Sequence, residues 1–423
     1  MNIKDIIIKK KDKKELTKEE IKYVIDNYMN DNIKDYQMSS LLMAILLNGM
    51  TFDETYNLTN EMLNSGDRID LSKIDGIKVD KHSTGGVGDK TSFVVLPLVA
   101  ASGVKIAKMS GRGLGYTGGT IDKLESISGF KINLSEQEFI DQVNNINLAL
   151  VSQSGNLVPA DKKIYALRDV TGTTDSVPLI ASSIMSKKLA SGADKILLDV
   201  KVGKGAFMKN IDDARELAKT MVEIGKRFNK ETVALLTNMD YPLGNTIGNG
   251  LEVEEAIEVL EGNGNKNFTN LCLLLSSYMV SMGKNISIDE AFDIVREKFD
   301  NKEGLKKLYE FVSYQGGDLK NIKKEENYIS IISNKTGYIN DIDTLYLSKL
   351  CNDLGAGRKK KEDVINYGVG VKLLKSINDK VNKDDEIMRV YTNKEIDYNE
   401  YLKTVIIGEE KKHDIKLVYE VIK

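Results

Sequence analysis

Two glycine-rich loops in the stretch Lys81–Glu125 constrain the fold of this 423-residue chain more than any other feature. The first reads Lys81-His-Ser-Thr-Gly-Gly-Val-Gly-Asp89. The second reads Ser110-Gly-Arg-Gly-Leu-Gly-Tyr-Thr-Gly-Gly-Thr120, and an apolar segment closed by Lys108 lies between them. Glycine lets a backbone turn sharply and bring its N–H groups close to an anion, while nearby hydroxyls and lysines supply further donors. The first loop follows a strand-like run and opens a helix-like one, so unpaired helix N–H groups face it. The pair reads as one phosphate site. A Walker loop is excluded because Asp89, not glycine, precedes Lys90. Gly113-Leu-Gly-Tyr-Thr-Gly118 matches the dinucleotide fingerprint, but the helix begins at Thr120, after the motif, so phosphate is favoured over a dinucleotide.

Composition narrows the class. A formal net charge of −3 argues against a nucleic-acid polymer as the main partner. The runs Lys9-Lys10-Lys11 and Lys359-Lys360-Lys361 are flanked by acids and read as solvated surface. Cys272 and Cys351 are far apart and form no disulfide framework, which suits a reducing compartment. No segment reaches the roughly 18 apolar residues that span a bilayer, and the N-terminal isoleucines followed by lysines do not form a signal peptide. The expectation is a cytoplasmic soluble protein of two or three domains.

Taken in order, residues 1–66 read as a helical lobe. Thr17 and Glu20 make a capping box before Ile21, Val24, Ile25, Tyr28 and Met29 at helical spacing. Leu41 to Leu46 form a nearly all-apolar helix, suited either to burial or to a contact with a second copy. Asp53 is the expected cap of a third helix. From Ile77 the pattern becomes strand, glycine turn, helix. Strands are predicted at Ile77–Asp80, Val104–Lys108, Leu148–Ser152, Lys195–Val202 and Thr232–Thr237, with helices at 90–102, 120–127 and 213–228. This alternation predicts an α/β domain, residues 67–160 and 193–333, with a mostly parallel sheet and ligands at the strands' C-terminal ends. Residues 161–192 interrupt it with helical sequence that joins the N-terminal lobe. Residues 334–423 read as a separate α+β domain.

Few other residues suggest chemistry. His82 and His413 are the only histidines, and His82 sits in the anion loop, where proton transfer or phosphate contact is a role for it. The absence of a His or Cys cluster argues against zinc. Arg168 and Lys187 lie on apolar segments, where they either pair with acids or hold negative charge on a substrate.

Longer motifs carry a resemblance. Ser110-Gly-Arg-Gly-Leu-x-x-Thr-Gly-Gly-Thr120-x-Asp-Lys-x-Glu125 resembles the signature of the thymidine and pyrimidine-nucleoside phosphorylases. Asp80 to Asp89, Ala160 to Thr173 and Asp199 to Met208 fit the same family, and the resemblance covers almost the whole chain. It implies cleavage of pyrimidine nucleosides by inorganic phosphate, to free base and a pentose 1-phosphate. It implies phosphate binding by Lys81, His82, Ser83, Ser92, Lys108, Met109, Ser110 and Thr120. The pyrimidine is implied at Arg168, Ser183 and Lys187, with Tyr165 and Phe207 nearby. Catalytic roles are implied for His82, Arg168 and Lys187.

The family's lobes close on a hinge, for which Gly66, Gly155 and Gly192 are candidates. Gly192→Pro is expected to slow turnover without unfolding the protein, and Arg168→Ala to lower turnover far more than stability. Some bacterial members bind potassium at positions matching Gly88, Leu243 and Glu255. Here Lys90 and Thr246 depart from them, and a nearby ammonium group is an alternative to the ion. No organic cofactor is implied. The expected assembly is a homodimer through the helical lobe. Two alternatives stand: a thymidine phosphorylase restricted to 2′-deoxynucleosides, and an anthranilate-type phosphoribosyltransferase.

Overall fold

A computed structural model describes residues 1–113, 118–153, 155–358, 360, 363–412 and 415–423. Leu114–Thr117 of the fingerprint, Lys359 and Lys361 of the second lysine run, and His413 lie outside the described residues.

Four helices open the chain: α1 (Ile3–Lys11), α2 (Lys18–Met29), α3 (Asp35–Asn48) and α4 (Phe52–Leu63). The Thr17–Glu20 capping box forms in both directions. The cap of α4 is Thr51, not Asp53. Thr51 and Glu54 make the same reciprocal pair, which leaves Asp53 inside the first turn. Glu54 is also fully buried and accepts from Lys10 Nζ and Leu16 N, both at 2.8 Å, pinning α4 to the start of the lobe.

The chain then alternates. In order come β1 (Val79–Ser83), α5 (Thr91–Ala101), β2 (Ile106–Ser110), α6 (Thr120–Leu124), α7 (Glu136–Ile146) and β3 (Leu148–Ser152). Next are α8 (Pro159–Thr171), α9 (Val177–Ala190), β4 (Lys195–Val202), α10 (Ile211–Arg227) and β5 (Glu231–Asn238). A short β6 (Thr246–Ile247) precedes α11 (Asn249–Leu260), α12 (Lys266–Lys284), α13 (Ile288–Asp300) and α14 (Glu303–Tyr314). α8 and α9 pack on the first lobe, α9 mainly on α4 and α8 on α3.

β1, β4 and β5 pair in parallel, as do β2 and β3. A parallel bridge from Lys78 to Lys105, with Val79 N donating to Lys105 O at 3.1 Å, joins the two sets. The order β3-β2-β1-β4-β5 therefore reverses between β1 and β4, the point at which such sheets open a crevice for ligands. β1 and β2 run further toward the C-terminus than the sequence suggested, because Ser83 pairs with Asp199 and Ser110 with Ser152. His82, Ser83, Lys108 and Ser110 thus sit on strand tips rather than in free loops.

Alternation along the strands divides the core. Leu197, Val233, Leu235, Ile106 and Leu148 pack toward α5 and α12. Ile196, Leu198, Val200, Ala234 and Leu236 pack toward α9 and α10, in a core continuous with that of the helical lobe. The same parity sends Lys81, Asp199 and Lys201 to the first face and Asp80 and His82 to the second.

Beyond α14 the chain forms two small antiparallel sheets. One joins 380–381, 337–342 and 405–408; the other joins β6, 370–373, 386–391 and 328–332. The final strand, Val418–Ile422, leaves them and pairs antiparallel with β5. The sheets of the C-terminal part thus draw in β6 and 328–332 from before residue 334, and its last strand joins the large sheet. No single helix among the described residues is long and apolar enough to cross a membrane.

Gly192 ends α9 rather than forming a free hinge. Its φ is +84°, and a Cβ there would lie 2.5 Å from Ile69 O. Proline fixes φ near −65°, so Gly192→Pro would strain the fold itself and cannot report on hinge motion.

Candidate active site

A cleft of about 350 Å³ lies between the strand tips and the paired helices α8 and α9. His82, Ser83, Ser92, Lys108, Met109, Ser110 and Thr120 line one wall, with Gly85, Gly86 and Gly111 between them. Tyr165, Arg168, Ser183, Lys187 and Phe207 line the other. Of the expected phosphate and base residues, only Lys81 is not at the cleft surface. β1 parity turns its side chain beneath the loop, where Nζ bonds Thr91 Oγ1 and lies 3.5 Å from Asp199.

Behind the first wall lies a set of buried carboxylates that the sequence did not single out. Asp80 joins Lys108 at 3.3 Å and Lys188 at 2.6 Å. Burial opposes ionisation of Asp80, but these two ammonium groups hold its carboxyl below the usual range. Asp199 receives Thr237 Oγ1 at 2.6 Å and pairs with Lys201 at 2.7 Å. Asp89 accepts from Thr91 N, Thr91 Oγ1 and Ser83 Oγ, so the first N–H of α5 is engaged within the protein. Burial raises the Asp89 pKa, and the Lys81, Lys201 and Lys123 charges override that and hold it ionised. These contacts fix Ser83 and Lys108 before any ligand arrives.

His82 feels burial first and then four lysines, 188, 108, 187 and 81, all of which lower its pKa well below the ordinary histidine value. In the empty cleft the imidazole is neutral. An anion placed beside it would offset those charges and raise its affinity for a proton.

The second loop is held by Asp122, which accepts from Gly113 N at 2.6 Å and Gly119 N at 3.3 Å. Arg112 and Arg358 reach the same carboxylate at 3.2 and 2.9 Å, and Arg112 also pairs with Glu125, which accepts from Tyr367 Oη. Arg112 is thus engaged with Asp122 and Glu125, and the C-terminal segment braces the loop.

On the opposite wall, Arg168 is 1% exposed and donates to the carbonyls of Thr173, Thr174 and Leu179 at 3.0, 2.8 and 3.2 Å. Three of its five N–H donors are used, which leaves others for a ligand oxygen. Burial lowers its pKa. Because Arg168 also ties down the turn before α9, truncating it removes structure as well as charge, contrary to the expectation for Arg168→Ala. Lys187 is held by Asp161 at 2.6 Å and Ser183 at 2.9 Å. Tyr165 lies between the two cations, its ring centre 5.7 Å from the guanidinium and 5.9 Å from Lys187 Nζ. Phe207 is half exposed at the rim.

Gly88, Leu243 and Glu255 do come together, away from the cleft, but around the ammonium of Lys90. That group occupies the centre of the oxygen set, so the residues present do not fit a potassium ion.

Comparisons with known proteins bear on the whole chain. The glycosyl transferase family helical bundle domain matches residues 4–66, and the α/β domain of the same family matches 75–304. The pyrimidine nucleoside phosphorylase C-terminal domain matches 338–407. A pyrimidine-nucleoside phosphorylase of Staphylococcus epidermidis is 52% identical over 405 residues, 94% of each chain. Those of Geobacillus stearothermophilus and Bacillus subtilis are each 50% identical over 402 residues, 93% of each chain. Among solved structures, anthranilate phosphoribosyltransferase from Thermus thermophilus aligns with a TM-score of 0.59 at 17% identity, covering 73% of this chain and 98% of that one. This last likeness shows the fold alone.

Burial lowers the Lys108 pKa to about 8, against the opposing pull of Asp80. Below that pH the side chain is an ammonium; above it, a neutral amine with no charge to attract a dianion. Phosphate affinity should therefore fall as pH rises through about 8, toward roughly tenfold per further pH unit, in a titration of the phosphate KM. Inorganic phosphate is already a dianion there, so the loss belongs to the protein. Affinity that stays flat across that range would contradict the assignment.

Proposed function

The chain belongs to the pyrimidine-nucleoside phosphorylase family, and on that premise we propose that its cleft takes uridine, thymidine and deoxyuridine. Phosphorolysis of these nucleosides gives the free base and ribose or 2-deoxyribose 1-phosphate. The observation that carries this reading is the pairing of two charged walls across one cleft. A wall of hydroxyls and glycines with His82 and Lys108 faces Arg168, Lys187, Ser183 and an aromatic ring. One wall suits a tetrahedral dianion, the other a flat ring with two carbonyl oxygens.

The reaction then follows from placement. Ser83, Ser92, Lys108, Ser110 and Thr120 hold phosphate below the sugar. One of its oxygens bonds C1′ as the C1′–N bond breaks, and the electron pair of that bond passes into the pyrimidine. Negative charge spreads to the ring oxygens, where Arg168 and Lys187 stand, and a fixed donor of this kind is worth about 3–4 kcal/mol. His82, reprotonated beside the dianion, hands a proton to the departing base. Holding both substrates together removes much of the entropic barrier. No step uses a metal.

A thymidine phosphorylase restricted to 2′-deoxynucleosides is the nearest alternative, and the relatives at 50–52% identity favour broader use. The phosphoribosyltransferase reading has only the shared fold behind it. We place the protein in the cytoplasm, in keeping with two free, buried cysteines, and without a nucleic-acid partner, in keeping with its net charge of −3.

The assembly is proposed as a homodimer through the helical lobe. Tyr36, Met43 and Leu47 on α3 are 72%, 38% and 74% exposed, with Ile8 on α1 at 40% and Val170 on α8 at 78%. Apolar side chains gathered on one lobe suit a contact between copies. Sedimentation should give twice the 47.1 kDa chain mass, and Leu47→Glu should shift it toward the monomer; a wild-type monomer would overturn the proposal.

Free base should appear from uridine, thymidine and deoxyuridine only when phosphate is added. Arg168→Lys, which keeps the charge but loses the fork, should lower kcat/KM by roughly a hundredfold or more. It should also lower the unfolding midpoint, because carbonyls of the 173–179 turn lose donors. Release of base without phosphate, or from none of the three, would remove the reading. Cleavage of the deoxynucleosides alone would favour the alternative.

A further inference from the structure

We propose that the Lys90 ammonium is a built-in monovalent cation, permanently filling the oxygen site that a potassium ion would otherwise take, so that the first glycine loop is held without bound metal. Lys90 is the residue just before α5 and is fully buried. Its Nζ lies 2.5 Å from Leu243 O, 3.0 Å from Thr246 O and 2.6 Å from Glu255 Oε2. A primary ammonium has three donors, and three oxygens meet them. Thr246 Oγ1 follows at 3.4 Å, and the Phe268 ring centre lies 5.3 Å away.

The carboxylate is equally complete. Glu255 accepts from Asn245 N at 2.6 Å, Thr246 N at 2.8 Å and Thr246 Oγ1 at 2.6 Å, besides the ammonium. One positive and one negative charge therefore balance in a buried site. A second cation would sit against the first in a low-dielectric interior, where like charges repel strongly.

Space points the same way. Gly244 has φ +76°, and a Cβ there would fall 2.4 Å from Glu255 Oε1 and 2.8 Å from Lys90 Nζ. Gly88 has φ +75°, and its Cβ would fall 2.9 Å from Leu243 O and 3.0 Å from Thr246 O. Backbone thus closes on the oxygen set from two sides, around an ammonium rather than around a larger vacancy.

This cage ties together the start of α5, the turn 243–246 and α11. It reaches the cleft through one further bond, Leu243 N to Val87 O at 3.1 Å, next to Gly85 and Gly86 on the phosphate wall. A bound ion stabilises only as far as its concentration exceeds its Kd. A tethered ammonium is always present, so the loop keeps its order whatever the salt.

The test compares unfolding midpoints and phosphorolysis rates in potassium, sodium and tetramethylammonium chloride at equal ionic strength. For the wild type both readouts should be the same in all three. A resident ion at about a hundred times its Kd would instead raise the midpoint in potassium by several degrees, and that result overturns the proposal. Lys90→Ala, which opens the cage, should have a lower midpoint in tetramethylammonium and recover part of the loss in potassium. A variant as stable as wild type in tetramethylammonium also overturns it. Should the variant not fold, the wild-type comparison decides alone. Because unfolding is read independently of turnover, failure here is distinguishable from failure of the assigned reaction.

Discussion

The site depends on buried charge that must be balanced in place. Behind the phosphate wall, Lys81, Lys108, Lys123, Lys188 and Lys201 face the carboxylates of Asp80, Asp89, Asp199 and Glu252, all nearly inaccessible to water except the part-buried Asp89. Taking one partner from such a set leaves an uncompensated interior charge, typically a loss of about 3–5 kcal/mol. The lysines nonetheless outnumber the carboxylates, and the excess positive charge lies beneath the loop. That excess suits the cleft to an anion. Burial, and then the charges of Lys188, Lys108, Lys187 and Lys81, hold the His82 pKa well below the ordinary histidine value.

Strand order explains why that charge gathers in one place. The reversal between β1 and β4 brings the tips of β1, β2 and β4 to one crevice, and α8 and α9 close over it from the helical lobe. The core beneath α9 and α10 runs without interruption from the sheet into that lobe. The base-side residues are therefore carried on elements packed directly onto the strands that carry the phosphate-side ones. Arg168 and Asp161 then do for the second wall what Asp80 does for the first: each fixes its neighbours through contacts made inside the protein.

Much of this was legible in the chain, for identifiable reasons. β3 and β4 fall where the sequence puts them, because buried parallel strands read as continuous apolar runs. β1 and β2 were placed too early, since their ends carry Lys, His and Ser that look like loop. That shift hid the parity which turns Lys81 beneath the loop while leaving His82 at the cleft. Asp199 and Lys201 gave a signal that could have been used: charges inside the apolar run Ile196–Val202 are buried and must be paired. Asp80, Asp161 and Lys188 gave none, because their partners are distant in sequence. Lys90 and Thr246 were visible as departures from the family's pattern, but only the three-dimensional arrangement puts the Lys90 ammonium among the oxygens of Leu243, Thr246 and Glu255.

The central claim is that inorganic phosphate is itself the nucleophile at C1′, seated on the wall built by Ser83, Lys108, Ser110 and Thr120. Turnover of uridine with phosphate carrying heavy oxygen at every position tests it most directly, by mass spectrometry of the ribose 1-phosphate. Attack by phosphate oxygen predicts that the product keeps all the labelled oxygens. Loss of one label would mean that the sugar's own oxygen attacked phosphorus after hydrolysis, and would contradict the account.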